Sequence, residues 1–150
     1  MIDKLIITLS LVNLFTNSAY SSIAPFYPLE AAKKGVNPIY IGFIFSIYSL
    51  VKAMVAPIVG NLMSKTGRKV MIFSGLFLEG TAIICFGLID YVEDGTTYAI
   101  LSALCRVFEG TGNACLVTSS YALVASHYPE EKENVIGTLQ IFTGNKRIYF

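Results

Sequence analysis

Ionisable and amide side chains recur on one face of a long apolar segment in the second half of the chain. Arg106, Glu109 and Asn113 follow one another at steps of three and four residues, so an α-helix places them on the same side. Ionisable residues are costly inside a membrane, and those that occur there commonly mark a substrate or proton path. These three residues are therefore candidates for a solute or proton path. A purely structural Arg106–Glu109 ion pair is the alternative.

The first apolar segment carries a second polar stripe. Ser10, Asn13, Asn17 and Ser21 recur at steps of three and four, which places them on one helix face. Asn13 and Asn17 are candidates for the same solute or proton path. The alternative is that these amides and hydroxyls bond across a tight helix interface, as small polar residues often do in membranes.

Two further charges, Lys52 and Glu79, lie in the middle of consecutive apolar segments. If these segments form an antiparallel hairpin, both charges lie roughly 14 to 15 Å from the connected ends, at about 1.5 Å per residue. An isolated charge near the bilayer centre costs at least about 2.5 to 3.5 kcal/mol on insertion scales. We therefore predict an intramembrane Lys52–Glu79 ion pair. There are two alternatives. Glu79 pairs with Arg106, or Lys52 faces a carboxyl-terminal half.

The remaining reactive residues do not predict catalysis. Cys85, Cys105 and Cys115 fall inside apolar segments, without the close pairing or histidine neighbours of a metal site. The sequence contains no catalytic serine pattern and no phosphate loop. We therefore expect neither an enzyme nor a cofactor or metal. The net charge of +1 and the lack of basic runs exclude a nucleic-acid partner.

The segments that carry these residues are about as long as a bilayer is thick. Hydrophobic residues make up 54% of the 150 residues and charged residues only 14%. The mean hydropathy of +0.62 is far from that of an ordinary soluble domain. We predict an all-α fold, a polytopic membrane helix bundle of four transmembrane helices and the start of a fifth. The predicted spans are 5–28, 39–62, 70–89, 98–125 and, incompletely, 134–144.

The amino-terminal segment has a competing interpretation. Lys4, the apolar stretch after it and the small residues around Ala19 imitate the three regions of a secretory signal peptide. However, the uncharged stretch continues past Ala19 to Pro28, and further spans follow it. We therefore interpret the segment as the first transmembrane helix.

Loop charges predict the orientation of the bundle. The connection between the second and third spans is basic and the next connection is acidic, with Lys65, Arg68 and Lys69 in the first and Asp90, Glu93 and Asp94 in the second. Because basic loops favour the cytoplasmic side, we predict that the first of these loops and the amino terminus are cytoplasmic. Lys33 and Lys34 then lie on the opposite side, against the rule. This orientation is compatible with both the plasma membrane and an intracellular vesicle membrane.

The basic connection carries a signature sequence. GNLMSKTGRK, at residues 60–69, resembles the loop signature of the major facilitator superfamily. Ser64 stands where that signature has an aspartate that makes a charge contact between domains. The resemblance implies a conformational-switch loop formed by Gly60, Ser64, Lys65, Gly67, Arg68 and Lys69.

A second signature lies in the fourth span. RVFEGTGNA, at residues 106–114, resembles the fourth-helix motif of proton-coupled antiporters of the same superfamily. The resemblance links Arg106 to proton coupling, and Glu109 replaces the customary glutamine. Three further segments resemble the vesicular amine and polyamine transporters, the solute carrier family 18 type. They are APFYPLEAAKKG, FGLIDYVEDG and GTLQIFTG. That branch implies an acid near Thr16 for a cationic amine, which is absent here, whereas Asn17 is retained.

The resemblance implies a secondary active transporter that couples proton antiport to a small organic solute, with cations as one solute class. Its partners would be the lipid bilayer, the solute, the proton and a missing carboxyl-terminal half. Residues 1–144 would form part of the amino-terminal transmembrane domain of a twelve-helix fold, and residues 145–150 a divergent tail. We therefore expect a truncated fragment that does not transport alone. The alternative is a small four-span membrane protein with a scaffolding or regulatory role.

Overall fold

The computed structural model describes residues 4–142, which form five α-helices and one short 3₁₀ turn. The helices are α1 (Lys4–Lys33), α2 (Pro38–Thr66), α3 (Arg68–Leu88), α4 (Gly95–His127) and α5 (Lys132–Phe142), and the turn at Ile89–Tyr91 follows α3. The described residues contain no strand, and the predicted all-α helix bundle is confirmed. The end of the predicted fifth span, at 143–144, and the predicted tail lie outside the described residues.

Three helical segments are long and apolar enough to cross a membrane: Pro38–Thr66, Arg68–Tyr91 and Gly95–His127. Their outward surfaces carry large apolar side chains such as Phe43, Phe73 and Phe77, which suit contact with lipid tails. Helix α1 has 30 residues, and its serine, threonine and asparagine side chains lower its mean hydropathy. At about 1.5 Å per residue it is nevertheless longer than a roughly 30 Å hydrocarbon core. Its predicted role as a span stays a prediction.

Polar side chains cap the helices where they begin outside the apolar segments. The side chain of Asn37 accepts a hydrogen bond from the backbone of Ile39, and Pro38 occupies the first turn of α2. Asp94 accepts hydrogen bonds from the hydroxyl and the backbone N–H of Thr97 at the start of α4. These bonds hold the pKa of Asp94 below its usual value. The stability that this cap contributes is therefore present above the ordinary carboxyl pKa and is lost as pH falls through the lowered value.

Helix α4 lies at the centre of the bundle. It packs extensively against α3 and against α2, whereas α2 and α3 touch each other little. Apolar clusters close the two ends of the bundle, one around Tyr27 and Tyr98 and the other around Leu9 and Leu123. The buried polar side chains of α4 lie in the stretch of helix between these clusters.

Candidate functional site

Arg106 and Glu109 form an ion pair inside the bundle. The Nη1 atom of Arg106 donates a hydrogen bond to Oε2 of Glu109 at 2.9 Å, and the two side chains are 0% and 1% exposed. The pair forms within one helix turn because the residues are three positions apart on α4. An ion pair in this position is shielded from water, so a proton that neutralised the carboxylate would leave the guanidinium without its counter-charge.

Aromatic rings from the three other long helices surround the guanidinium of Arg106. Its central carbon lies 5.3 Å from the ring centroid of Tyr20 on α1, 5.0 Å from that of Phe45 on α2 and 4.9 Å from that of Phe86 on α3. At these distances the negative faces of the rings attract a cation. The arginine is therefore held at the meeting point of all four helices.

A second buried polar contact joins α3 to α4. The side-chain amide of Asn113 donates to Oε1 of Glu79 at 2.9 Å, and both residues are buried. Five other polar atoms of this cluster have no hydrogen-bond partner within residues 4–142, namely Oε2 of Glu79, Oε1 of Glu109, Oδ1 of Asn113, and Nε and Nη2 of Arg106. All of these atoms can form hydrogen bonds to further partners, and the carboxylate oxygens can also bind a proton. The same part of the chain contains no group of acidic, histidine and cysteine residues that could hold a metal ion.

The predicted Lys52–Glu79 ion pair is not formed. The ion pairs among residues 4–142 are Glu30–Lys33, Lys34–Asp90 and Arg106–Glu109. The prediction assumed that α2 and α3 pack as neighbours, but both helices pack mainly on α4. The side-chain amide of Asn113 on α4 donates the hydrogen bond to the Glu79 carboxyl group. The Nζ atom of Lys52 instead lies 6.0 Å from the ring centroid of Tyr48, one turn earlier on α2. The alternative pairing of Glu79 with Arg106 is not formed either.

The polar stripe of α1 changes its surroundings along the helix. Ser10 and Asn13 are buried, whereas Ser21 is exposed. The side-chain amide of Asn13 donates to the carbonyl of Leu9 at 2.8 Å, and that of Asn17 donates to the carbonyl of Asn13 at 2.7 Å. These donors bond within α1 rather than to the cluster on α4. The structure therefore does not join Asn13 and Asn17 to Arg106 by hydrogen bonds.

The aromatic residues around Arg106 were not among the candidates predicted from the sequence. Tyr20 follows Asn13 and Asn17 at the spacing of one helix face, and this periodicity is a signal that could have identified it. Phe45 and Phe86 offer no comparable signal, because aromatic residues in an apolar segment face lipid as readily as a neighbouring helix. Only the arrangement of the helices shows which of them meet the arginine.

The basic connection between α2 and α3 is a single residue, Gly67. Its φ of +90° is a conformation that glycine adopts readily and other residues rarely do. The next residue, Arg68, donates from Nη1 to the hydroxyl of Ser126 near the end of α4. The Ser64 hydroxyl bonds locally, to the carbonyl of Asn61 at 2.7 Å. A cavity of about 470 Å³ at this end is lined by Gly60, Met63, Ser64, Gly67, Arg68 and Lys69, which include all the predicted loop residues except Lys65.

Comparison with known proteins identifies several relatives. The MFS-type transporter SLC18B1 of Homo sapiens is 34% identical over 139 residues, which are 93% of this chain and 30% of that protein. SLC18B1 of Mus musculus is 32% identical over 133 residues, 89% of this chain and 29% of that protein. The multidrug resistance protein MdtG of Escherichia fergusonii is 30% identical over 130 residues, 83% of this chain and 30% of that protein. The chain thus spans about 30% of the length of each of these relatives.

The family comparison covers most of the chain. The sequence model of the Major Facilitator Superfamily matches residues 9–144. No solved structure matches the chain. The matched range includes both signature sequences and the buried cluster of Glu79, Arg106, Glu109 and Asn113. Together with the apolar helices, these matches show that the chain is an integral multi-pass membrane protein that belongs to the major facilitator superfamily.

Proposed function

We propose that this chain forms the first helices of a secondary active transporter that exchanges protons for a small organic solute. Membership of the superfamily supports transport. The buried Arg106–Glu109 ion pair, enclosed by rings from three other helices, is the observation that carries the proposal of proton coupling. Such a pair couples protonation to helix packing, because a change in its charge alters contacts to α1, α2 and α3 together.

The coupling step is the protonation of Glu109. When its carboxylate accepts a proton, Arg106 loses its counter-charge and only the surrounding rings stabilise the guanidinium. The arginine then needs another negative group, and the helices that hold the rings must shift to provide one. Alternating access in these carriers requires one such rearrangement between two packed states. Asn113 bonds to Glu79 on the same face of α4, which brings the neighbouring helix α3 into the coupled unit.

An organic cation is the favoured solute class. Tyr20, Phe45 and Phe86 already hold a planar organic cation, the Arg106 guanidinium, and an amine-type solute has similar requirements. The multidrug-resistance name of one relative also fits organic solutes. The amino terminus and the loop at residues 64–69 face the cytoplasm in this proposal, because the loop is basic. The bilayer and the rest of the carrier are its partners.

Transport by this chain alone is not expected. Carriers of this kind move a solute by rocking two halves about a site near the middle of the membrane. The chain spans about 30% of the length of its relatives, which is less than one such half. Its polar cluster would therefore form one wall of the path, and the other wall would come from the rest of the carrier.

The test compares proton-driven uptake in a complete carrier that contains this sequence, purified and reconstituted in sealed liposomes with an imposed pH gradient. Arg106→Ala leaves Glu109 buried without a partner, a change that costs about 3 to 5 kcal/mol of stability and endangers folding. The double variant Arg106→Gln with Glu109→Gln removes both charges and avoids that penalty. We expect uptake by the double variant to become independent of the pH gradient. Lys33→Gln, which removes an exposed positive charge, is the matched control and should retain the gradient dependence.

Two outcomes would contradict the proposal. Gradient-driven uptake of normal size in the double variant would remove the ion pair from the coupling mechanism. A complete carrier that folds but shows no exchange with any organic cation or neutral solute would favour the scaffolding role for these helices.

A further inference from the structure

We propose that Glu79 on α3 is a proton-binding side chain, protonated in this conformation and separate from the Arg106–Glu109 ion pair. Its part in transport rests on the proposed function. Its chemistry follows from the surroundings of the carboxyl group alone.

The Glu79 carboxyl group is enclosed between α3 and its neighbours. The residue is 2% exposed, Oε1 accepts the hydrogen bond from Asn113, and Oε2 is buried without a partner in the described part of the chain. Gly112 of α4 approaches so closely that a Cβ atom at that position would lie 2.7 Å from the backbone nitrogen of Glu79. The side chain of Glu79 is therefore shielded from the surface of the described bundle.

The charges around Glu79 leave its carboxylate without a counter-ion. Glu109 faces it from α4, and Glu109 is paired with Arg106 at 2.9 Å. Lys52 and Tyr48 face it from α2, but Lys52 forms no ion pair with it in the described structure. The cluster thus contains two buried carboxyl groups but one guanidinium, which is already paired with Glu109. Burying a further unpaired carboxylate is unfavourable in a low dielectric, so the group takes up a proton instead.

The observed hydrogen bond suits the protonated form of Glu79. A neutral carboxyl group can accept the Asn113 amide hydrogen on Oε1 and keep its proton on Oε2. Loss of that proton creates a buried negative charge between α2, α3 and α4. The cations on the neighbouring helices that could neutralise it are Lys52 and Arg106, and either would have to move towards α3. Release of this proton would therefore rearrange the helices around the path.

Infrared spectroscopy of the 150-residue chain in a maltoside detergent, which has no ester carbonyl, tests this proposal without a transport assay, because a protonated carboxyl group has a C=O absorption that a carboxylate lacks. At about pH 7, ordinary exposed Asp and Glu side chains are ionised and do not contribute to this absorption. We expect the band in the wild-type chain, its loss in Glu79→Gln, and its retention in the double variant Arg106→Gln with Glu109→Gln, which removes the ion pair without freeing a cation. Raising the pH should remove the band from the wild-type chain.

The wild-type chain and the double variant Arg106→Gln with Glu109→Gln also test the proposal if Glu79→Gln does not fold. Glu79 and Glu109 are the buried carboxyl groups of the described residues, so a band shared by these two proteins is assigned to Glu79. Absence of the band from the wild-type chain at about pH 7 would overturn the proposal. So would its persistence in a folded Glu79→Gln variant, or its loss in the double variant Arg106→Gln with Glu109→Gln. These results would leave the transport experiment with Arg106 unaffected, and failure of that experiment would leave the Glu79 band unaffected.

Discussion

At the scale of single residues, Gly75 and Gly112 let α3 and α4 approach until their backbones nearly touch. A Cβ atom on Gly75 would lie 2.7 Å from the carbonyl oxygen of Gly112, and one on Gly112 would lie 2.7 Å from the nitrogen of Glu79. These contacts involve backbone atoms, which cannot move aside as the tip of a flexible side chain can. The close approach also brings Asn113 within hydrogen-bond distance of Glu79. The glycines thus position the candidate site as well as the helices.

We predict that Gly112→Ala destabilises the bundle. Two effects oppose each other, since alanine favours a helix over glycine by roughly 0.5 to 1 kcal/mol, whereas overpacking costs about 1 to 3 kcal/mol. Overpacking should outweigh the helix preference, because the added Cβ atom would clash with backbone atoms of α3. Thermal unfolding followed by circular dichroism, in matched lipid, measures the difference.

Gly80→Ala on α3 is the matched control for this variant. A Cβ atom at Gly80 meets nothing within 4 Å, so only the helix preference acts and stability should be unchanged or slightly higher. If Gly112→Ala unfolded at the same temperature as Gly80→Ala, the close packing of α3 on α4 would not be a source of stability.

At the scale of the helices and their connections, Lys34 ties the α1–α2 connection to the turn after α3. Its ammonium group donates to the backbone carbonyl of Asp90, lies 3.3 Å from the Asp90 carboxylate and stands 4.3 Å from the ring centroid of Tyr98. The Lys34 side chain is only 11% exposed, whereas that of Asp90 is 63% exposed. These contacts give Lys34 a structural role at the end predicted to be non-cytoplasmic, where the loop-charge rule disfavours a lysine.

We predict that Lys34→Ala destabilises the bundle more than Asp90→Ala does. The lysine variant loses the ion pair, the hydrogen bond to the backbone carbonyl and the cation–π contact together. The aspartate variant keeps the last two and should lose less than about 1 kcal/mol, as is usual for an exposed ion pair. Thermal unfolding of both single variants and the double variant gives their coupling energy.

The Glu30–Lys33 pair on α1 is the matched control for this cycle. It lies three residues apart on the helix surface at 3.0 Å, so its coupling should be only about 0.2 to 0.5 kcal/mol. Equal losses from Lys34→Ala and Asp90→Ala would mean that the ring and the backbone carbonyl contribute nothing at this end.

At the scale of the whole molecule, orientation follows from the ends of the helices. The end with Gly67 carries Lys65, Arg68 and Lys69, and the opposite end carries Glu93 and Asp94. Arg68 reaches Ser126 on α4, so the basic end of the bundle also includes the α4–α5 connection. The proposed orientation places all of these basic residues in the cytoplasm.

We predict that single cysteines will report this orientation in sealed vesicles whose cytoplasmic face points outward. In a chain with Cys85, Cys105 and Cys115 replaced by alanine, Lys69→Cys should react with a membrane-impermeant maleimide in the intact vesicles. Glu93→Cys should react only after detergent opens them, because it lies at the other end of α3. Both positions are exposed, so access to the reagent depends on the membrane alone.

Glu131→Cys, in the connection between α4 and α5, provides an independent check of this orientation. It is also exposed and should react like Lys69→Cys. The reverse pattern at all three positions would invert the proposed orientation. Reaction of Lys69→Cys and Glu93→Cys in the same intact vesicles would contradict a span between them.

The sequence by itself determined the features that depend on neighbouring positions in the chain. Apolar stretches as long as a bilayer is thick predicted the all-α bundle, and the signature sequences around Gly67 and Arg106 predicted the superfamily. The spacing of Arg106 and Glu109 showed that the two residues can pair, because residues three apart lie on one helix face wherever the helix is placed. Helix periodicity is a local property, so no tertiary information was needed.

Only the tertiary structure decided which helices are neighbours. The Lys52–Glu79 prediction used depth in the membrane, which sequence position supplies, but it also assumed contact between consecutive helices. Close packing at Gly110 and Gly112 instead brings α4 against both α2 and α3, so Glu79 meets Asn113. The rings around Arg106 come from three helices for the same reason. Packing of complementary helix surfaces, rather than order along the chain, selects these partners.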